Sequence, residues 1–278
     1  MEKILVLQDA KKYNRQLIEF AAYLAVLTKS GLTGYFLEEF AGQTVPVQKQ
    51  LFALPYVETI TAGDIPENRD KGILYESNKK LFCEACMNQG ISYQFRASRN
   101  PSLEDLLMES RYADLMVLEP ESNMVTGSNG STPHLVQRFI NRAECPLVVA
   151  PYSFYGVEEI IFAYDGTASG VRAIKQFVHL FPQFNQLKLT VLSADGGVLV
   201  PDGNIGKMND LLMTHYSSIS FYQLQGKESD ELFGYLLEKE RALIVTGAIG
   251  RDDFSAFFKS ATTGLMMKML NLPIFIAN

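Results

Sequence analysis

The residues of this chain best placed to do chemistry lie in Leu243-Ile244-Val245-Thr246-Gly247-Ala248-Ile249-Gly250-Arg251, ahead of a helical run from Ser260. An apolar, β-branched run that breaks at two glycines and gives way to helix-period residues predicts a buried strand, a tight turn and a helix start. Such a turn lets backbone N–H groups approach an anion, and a helix N-terminus adds a favourable dipole. The same two glycines equally suit a strand-to-helix loop that needs positive φ and binds nothing. Two carboxylates, Asp9 and Asp165, each end an apolar run and each precede a helical pattern.

Other reactive side chains point to less. Cys83-Glu84-Ala85-Cys86 has the CxxC spacing but falls inside a helical pattern, without a second pair or a neighbouring His pair, so it reads as helix packing rather than metal or redox chemistry. His134, His179 and His215 are scattered, and His179, in Phe177-Val178-His179-Leu180-Phe181, is expected to be a half-buried packing residue. No Ser-His-Asp or Cys-His arrangement supports nucleophilic catalysis. Met266, Met267 and Met269 read as helix packing, although soft methionine surfaces also bind partners.

Composition narrows the classes. With 278 residues, 47% of them hydrophobic, the chain can build one large or two ordinary domains. A formal net charge of −6, from 25 basic and 31 acidic residues, argues against duplex nucleic acid or an anionic membrane as main partner. The apolar stretch Phe20 to Thr28 is too short to span a bilayer, and Asp9 interrupts any signal-length core. Three cysteines make no disulfide framework, so the cytoplasm is the expected location.

The elements that must position these residues come in two rounds. In the first, strands are expected at residues 4–7, 32–37, 91–95, 115–118 and 147–150. Helices are expected at Tyr13 to Lys29 (with Gly31 as its stop), Lys71 to Asn88, Leu103 to Ser110 and Leu135 to Arg142. Residues 41–66 carry three X-Pro pairs and no clear helical period, and Gly127 to Thr132 reads as a flexible loop with an anion-nest alternative. Glu159 to Asp165 then repeats Lys3 to Asp9 at an offset of 156 residues, and Arg241 to Thr246 repeats Ala113 to Leu118 at 128. Cys145-Pro146-Leu147-Val148-Val149-Ala150 returns as Leu272-Pro273-Ile274-Phe275-Ile276-Ala277. The shrinking offset places about 28 extra residues between the second and third strands of the first half.

Two copies of a βαβ unit imply an α/β fold with parallel sheets covered on both faces. The expected units are residues 1–153 and 154–278, each a doubly wound five-stranded sheet, and ligands in such sheets bind where the strand order switches. Asp9 and Asp165 end the first strand of each half, and Gly247 ends the fourth strand of the second. At the equivalent place in the first half stand Glu119 and Ser122 instead of glycines, and a carboxylate there would repel phosphate.

This pattern resembles the universal stress protein family in its tandem form. Ile160 to Thr167 looks like the family's first strand and its Asp-Gly-Ser/Thr turn, and Gly247-Ala248-Ile249-Gly250-Arg251 looks like its Gly-x-x-Gly-Arg loop. The resemblance implies that ATP or ADP, with Mg²⁺, is held in the second half by Asp165, Gly166, Gly247, Gly250, Arg251, Ser260 and Thr262. Asp165 would lie near the adenosine, and Gly247, Gly250 and the positions of Ser260 and Thr262 near the phosphates. Ser260 and Ala261 replace the family's Gly-Ser/Thr pair, and Thr262 offers a substitute hydroxyl. The resemblance also implies that Leu147–Ala150 and Ile274–Ala277 pair across a pseudo-twofold axis, an internal counterpart of a dimer. Further implied are a stress-response role, at most slow ATP hydrolysis, and room for protein partners or a homodimer. The alternative is a protein-interaction scaffold of the same fold that binds no nucleotide, and a sensor built on Cys83 and Cys86 ranks last.

Overall fold

A computed structural model describes residues 1–10, 12–38, 45–51, 54–60, 66–99, 101–120, 135–194, 202–224, 228–247 and 270–277. Its first half runs β1 (Lys3–Asp9), α1 (Arg15–Thr28), β2 (Gly31–Glu38), β3 (Val45–Leu51), β4 (Leu54–Ile60), α2 (Pro66–Asn88), β5 (Tyr93–Arg99), α3 (Leu103–Ser110), β6 (Leu115–Leu118), α4 (Leu135–Arg142) and β7 (Leu147–Val149). The second runs β8 (Glu159–Tyr164), α5 (Ala168–Leu180), β9 (Lys188–Ala194), α6 (Asp202–Met213), β10 (Ile219–Leu224), α7 (Glu228–Leu237), β11 (Ala242–Gly247) and β12 (Ile274–Ala277).

Ten of these strands form one sheet in the order β10-β9-β8-β11-β12-β7-β6-β1-β2-β5. Within each half the strands therefore lie 3-2-1-4-5, all parallel. The halves meet where β12 and β7 run antiparallel, with Phe275 opposite Val148. That junction is the pairing of final strands that the family resemblance implies. It leaves no open edge at the centre of the sheet.

Alternation along the strands divides the apolar side chains between two layers. Ile4 and Val6 of β1, with Leu243 and Val245 of β11, pack under α1, α2, α5 and α6; Leu5 and Leu7, with Ala242 and Ile244, pack under α3, α4 and α7. Strands buried on both faces read as unbroken apolar runs, which is why β1, β6, β8 and β11 were legible. Phe154, in the connection between halves, packs edge-on against Phe20 of α1 at 4.9 Å between ring centroids.

Two local expectations change. Gly31 is not the stop of α1 but the first residue of β2. The helix ends instead on Lys29, which takes the left-handed conformation at φ 55°, while the Ser30 N–H donates to the Ala25 carbonyl at 2.9 Å. That six-to-one bond closes the helix without glycine. Within residues 41–66, β3 and β4 pair antiparallel as a separate two-stranded sheet, Val45 opposite Ile60. The absence of a helical period there is consistent with strands, and Pro46 and Pro55, which fall inside them, mimic loop punctuation. The Gly127–Thr132 loop, His134 and Met266 to Met269 lie outside the described residues.

Candidate functional site

In the second half the switch in strand order falls between β8 and β11, whose carboxyl ends stand side by side, Thr246 opposite Ala163. β8 ends in Tyr164, and the chain turns through Asp165 and Gly166, which takes φ +80°. Asp165 Oδ1 accepts hydrogen bonds from the Thr167 backbone N–H at 3.0 Å and from its hydroxyl at 2.7 Å. Thr167 Oγ1 in turn accepts from the Gly170 N–H at 3.1 Å and caps α5. An Asp-Gly-Thr sequence thus folds as an Asx turn that feeds a capped helix. Oδ2 of Asp165 has no hydrogen-bond partner among the described residues.

Gly247 ends β11 directly beneath this first turn. A Cβ built there would lie 2.8 Å from both the Gly170 nitrogen and the Ser169 carbonyl carbon, and 2.9 Å from Ser169 Oγ. Gly247 is therefore required for helix and strand to approach, whatever the site binds. Of the residues expected to hold a nucleotide, Asp165, Gly166 and Gly247 come together here, while Gly250, Arg251, Ser260 and Thr262 lie outside the described residues.

The first half solves the same junction differently. Asn14 caps α1, its Oδ1 accepting from the Leu17 N–H at 3.1 Å, and its Nδ2 donates to Glu119 Oε2 at 2.8 Å. Glu119, just beyond β6, thus places a carboxylate at the N-terminal end of α1, where a helix favours an anion. Where glycine lets a helix close onto a strand in one half, a side-chain bridge joins them in the other. Beneath the loop before Asn14, the fully buried Gln8 donates through Nε2 to the Lys12 carbonyl at 3.1 Å, and Asn78 of α2 donates to the Ala10 carbonyl at 2.7 Å. The Asn14–Glu119 bridge escaped the sequence reading. An Asn placed just before an apolar helical run was the available signal for the cap, but not for its strand partner.

The remaining reactive side chains are spread out. Cys86 is fully buried on α2, and burial, with the neighbouring Cys83, pushes its thiol up to about 12. Burial raises the Cys145 thiol to about 12 as well. Such thiols are poor nucleophiles at neutral pH. His179 is exposed rather than half-buried, because Phe177, Val178 and Phe181 form the inward face of that turn. Its ring lies 6.3 Å from that of His215. Among the described residues no group of three or more His, Cys, Asp or Glu could hold a metal ion, and no helix is long and apolar enough to cross a membrane.

At the opposite, amino end of β8, Glu159 gathers the densest ionic cluster described here. Its Oε1 accepts from Thr190 Oγ1 at 2.6 Å and pairs with Lys188 Nζ at 3.1 Å, and its Oε2 pairs with Lys239 Nζ at 2.9 Å. Burial alone would raise this carboxyl, but hydrogen bonds from Thr190, Lys239 and Lys188 outweigh it and hold the group below the usual carboxylate value.

Comparison with known proteins agrees with this architecture. No family model matches the chain. It is 20% identical over 284 residues to a universal stress protein of Synechocystis, covering 99% of both chains. Among solved structures, it resembles a universal stress protein of Archaeoglobus fulgidus at a TM-score of 0.64 and 12% identity, covering 99% of this chain and 98% of that one. A functionally unknown protein of Pseudomonas aeruginosa gives a TM-score of 0.60 at 11% identity, covering 100% of this chain and 92% of that one. The chain is thus similar over its whole length to universal stress proteins of tandem size and has their fold.

Proposed function

We propose that the chain acts as a tandem universal stress protein, built of units 1–153 and 154–278, that binds an adenine nucleotide in its second half. What carries the reading is the Asp165-Gly166-Thr167 turn, which ends β8 beside Gly247 at the switch in strand order and leaves Asp165 Oδ2 available to a ligand hydroxyl or amine. Ligands in open parallel sheets bind at that position. The space over Gly247 is filled by α5. The phosphates of ATP or ADP would therefore be held by the residues that follow it, Gly250, Arg251, Ser260 and Thr262, with Mg²⁺ as their counter-ion. The first half is a degenerate copy, because Glu119 already supplies a carboxylate to the N-terminus of α1. In this reading the protein works in the cytoplasm during a stress response, and nucleotide binding rather than turnover is its activity.

Calorimetric titration of ligand-free protein with ATP, ADP and AMP, with and without Mg²⁺, tests this. One site per chain at micromolar affinity, weakened by Asp165→Ala, is expected. Absence of heat and of any thermal shift with all three nucleotides would instead favour the interaction scaffold, which the occupied Glu119–Asn14 junction already suits.

A further inference from the structure

β10 forms one end of the ten-stranded sheet and pairs only with β9 among the described residues. An edge strand covered by helices on both faces buries its side chains and opens only its backbone rim. Here four consecutive residues, Ser220, Phe221, Tyr222 and Gln223, are exposed, Phe221 by 41% and Tyr222 by 50%. Ile219 packs into the layer that holds α5 and α6, so alternation puts Phe221 on that face. Tyr222 lies on the other face, where its ring stacks on Tyr235 of α7 at 5.3 Å. Among the described residues no second strand pairs with the rim of β10, and each of its faces carries a partly exposed aromatic ring.

The other end of the sheet is built differently. β5 carries Arg96 and Arg99 in its sequence, and Arg96 Nη1 bonds both Glu109 carboxylate oxygens at 2.9 Å. Charge on an edge strand is a usual device against pairing with another chain. β10, Ile-Ser-Phe-Tyr-Gln-Leu, has neither charge nor proline.

We propose that β10 is a pairing edge for a second copy of this chain, antiparallel to itself, so that two ten-stranded sheets continue across a twofold axis. Antiparallel self-pairing sets only the central residue of the strand opposite its own like, so a charge in the middle of β10 would meet itself. An uncharged strand with two exposed aromatic residues at its centre avoids that repulsion, and it brings Phe221 or Tyr222 against the same residue of the second copy, a favourable cross-strand pair. The chain already joins its own halves this way through β7 and β12. Because the contact is isologous and the β5 edge is charged, association stops at two. Six residues of strand bury well under about 1,000 Å², the range of weak interfaces.

Sedimentation velocity of the full chain over a concentration series tests this, with no nucleotide present, so that the outcome is independent of the proposed ligand. A reversible monomer–dimer equilibrium is expected, at micromolar or weaker affinity. Tyr222→Lys and Tyr222→Glu should each sediment as monomers when alone, and an equimolar mixture should recover the dimer. Should Tyr222→Lys melt early through loss of the Tyr235 stack, Gln223→Lys places the same charge on an exposed neighbour. A chain that stays monomeric at the highest concentration reached overturns the proposal. So does a dimer that survives the lysine variants, or a mixture that fails to reassociate.

Discussion

Gly247→Ala should destabilise the second half whether or not the protein ever meets a nucleotide. The added methyl would stand 2.8 Å from the Gly170 nitrogen and the Ser169 carbonyl carbon, both backbone atoms of the first turn of α5. Those atoms cannot swing aside as a side chain could. Thr167 caps the turn and Asp165 holds Thr167. Relief requires moving α5 away from β11, and helix and strand share Ala173, Phe177, Leu243 and Val245 in one core layer. Overpacking of this kind costs roughly 1–3 kcal/mol, or a loss of roughly 2–4 °C in Tm for each kcal/mol in domains of comparable size. Gly234→Ala is the matched control. It too replaces a glycine by alanine, but inside α7 with nothing within 4 Å of the new Cβ, and helix propensity predicts a gain of up to about 1 kcal/mol. Thermal and urea melts of the two variants beside the parent should therefore move in opposite directions. A Gly247→Ala protein that melts with or above the parent would refute the close contact. The contact also bears on ligand work. Loss of nucleotide binding in a Gly247 variant would report a displaced helix, so Asp165→Asn, which keeps a side-chain oxygen to accept from Thr167, is the cleaner probe of the site.

Three further outcomes are expected. Glu159→Gln should lower stability at neutral pH; because the folded-state pKa of Glu159 is depressed, its contribution is present above the ordinary carboxylate value and is lost as pH falls through the lower folded one. Denaturant melts of parent and variant should thus converge in acid, and a gap that stays constant with pH would show that packing, not charge, is responsible. Glu119→Ala should remove the acceptor of Asn14 Nδ2 and cost about 1 kcal/mol, measured by urea melts, while leaving the nucleotide stoichiometry at one per chain. In the native protein a thiol reagent at pH 8 should label partly exposed Cys83 well before Cys86 and Cys145, which burial keeps protonated; equal rates for Cys83 and Cys86 would mean that α2 opens readily.

The family resemblance implied the final-strand pairing; the sequence by itself determined the alternation of strands and helices and the duplication. The physical reason is that strands buried on both faces must be apolar throughout, and two copies of one burial pattern leave two copies in the sequence. Ile4 to Leu7 and Ile160 to Ala163 are such runs, and their constant offset marks the repeat. It also placed Asp165 and Gly247 at neighbouring strand ends, because strand order in a doubly wound sheet follows from connectivity. Tertiary structure decided what the local pattern leaves open. Gly247 suited a ligand cradle and a plain strand-to-helix loop equally; that its missing Cβ admits the backbone of α5 is a property of packing. Glu119 and Asn14 are 105 residues apart, beyond any periodicity, and only the fold makes them partners. Lys29 closes α1 in a left-handed conformation because the Ala25 carbonyl captures the Ser30 N–H, a backbone bond that side-chain type does not announce. Likewise, β5 and β10 were both readable as strands, but only the assembled sheet turned them into its two edges.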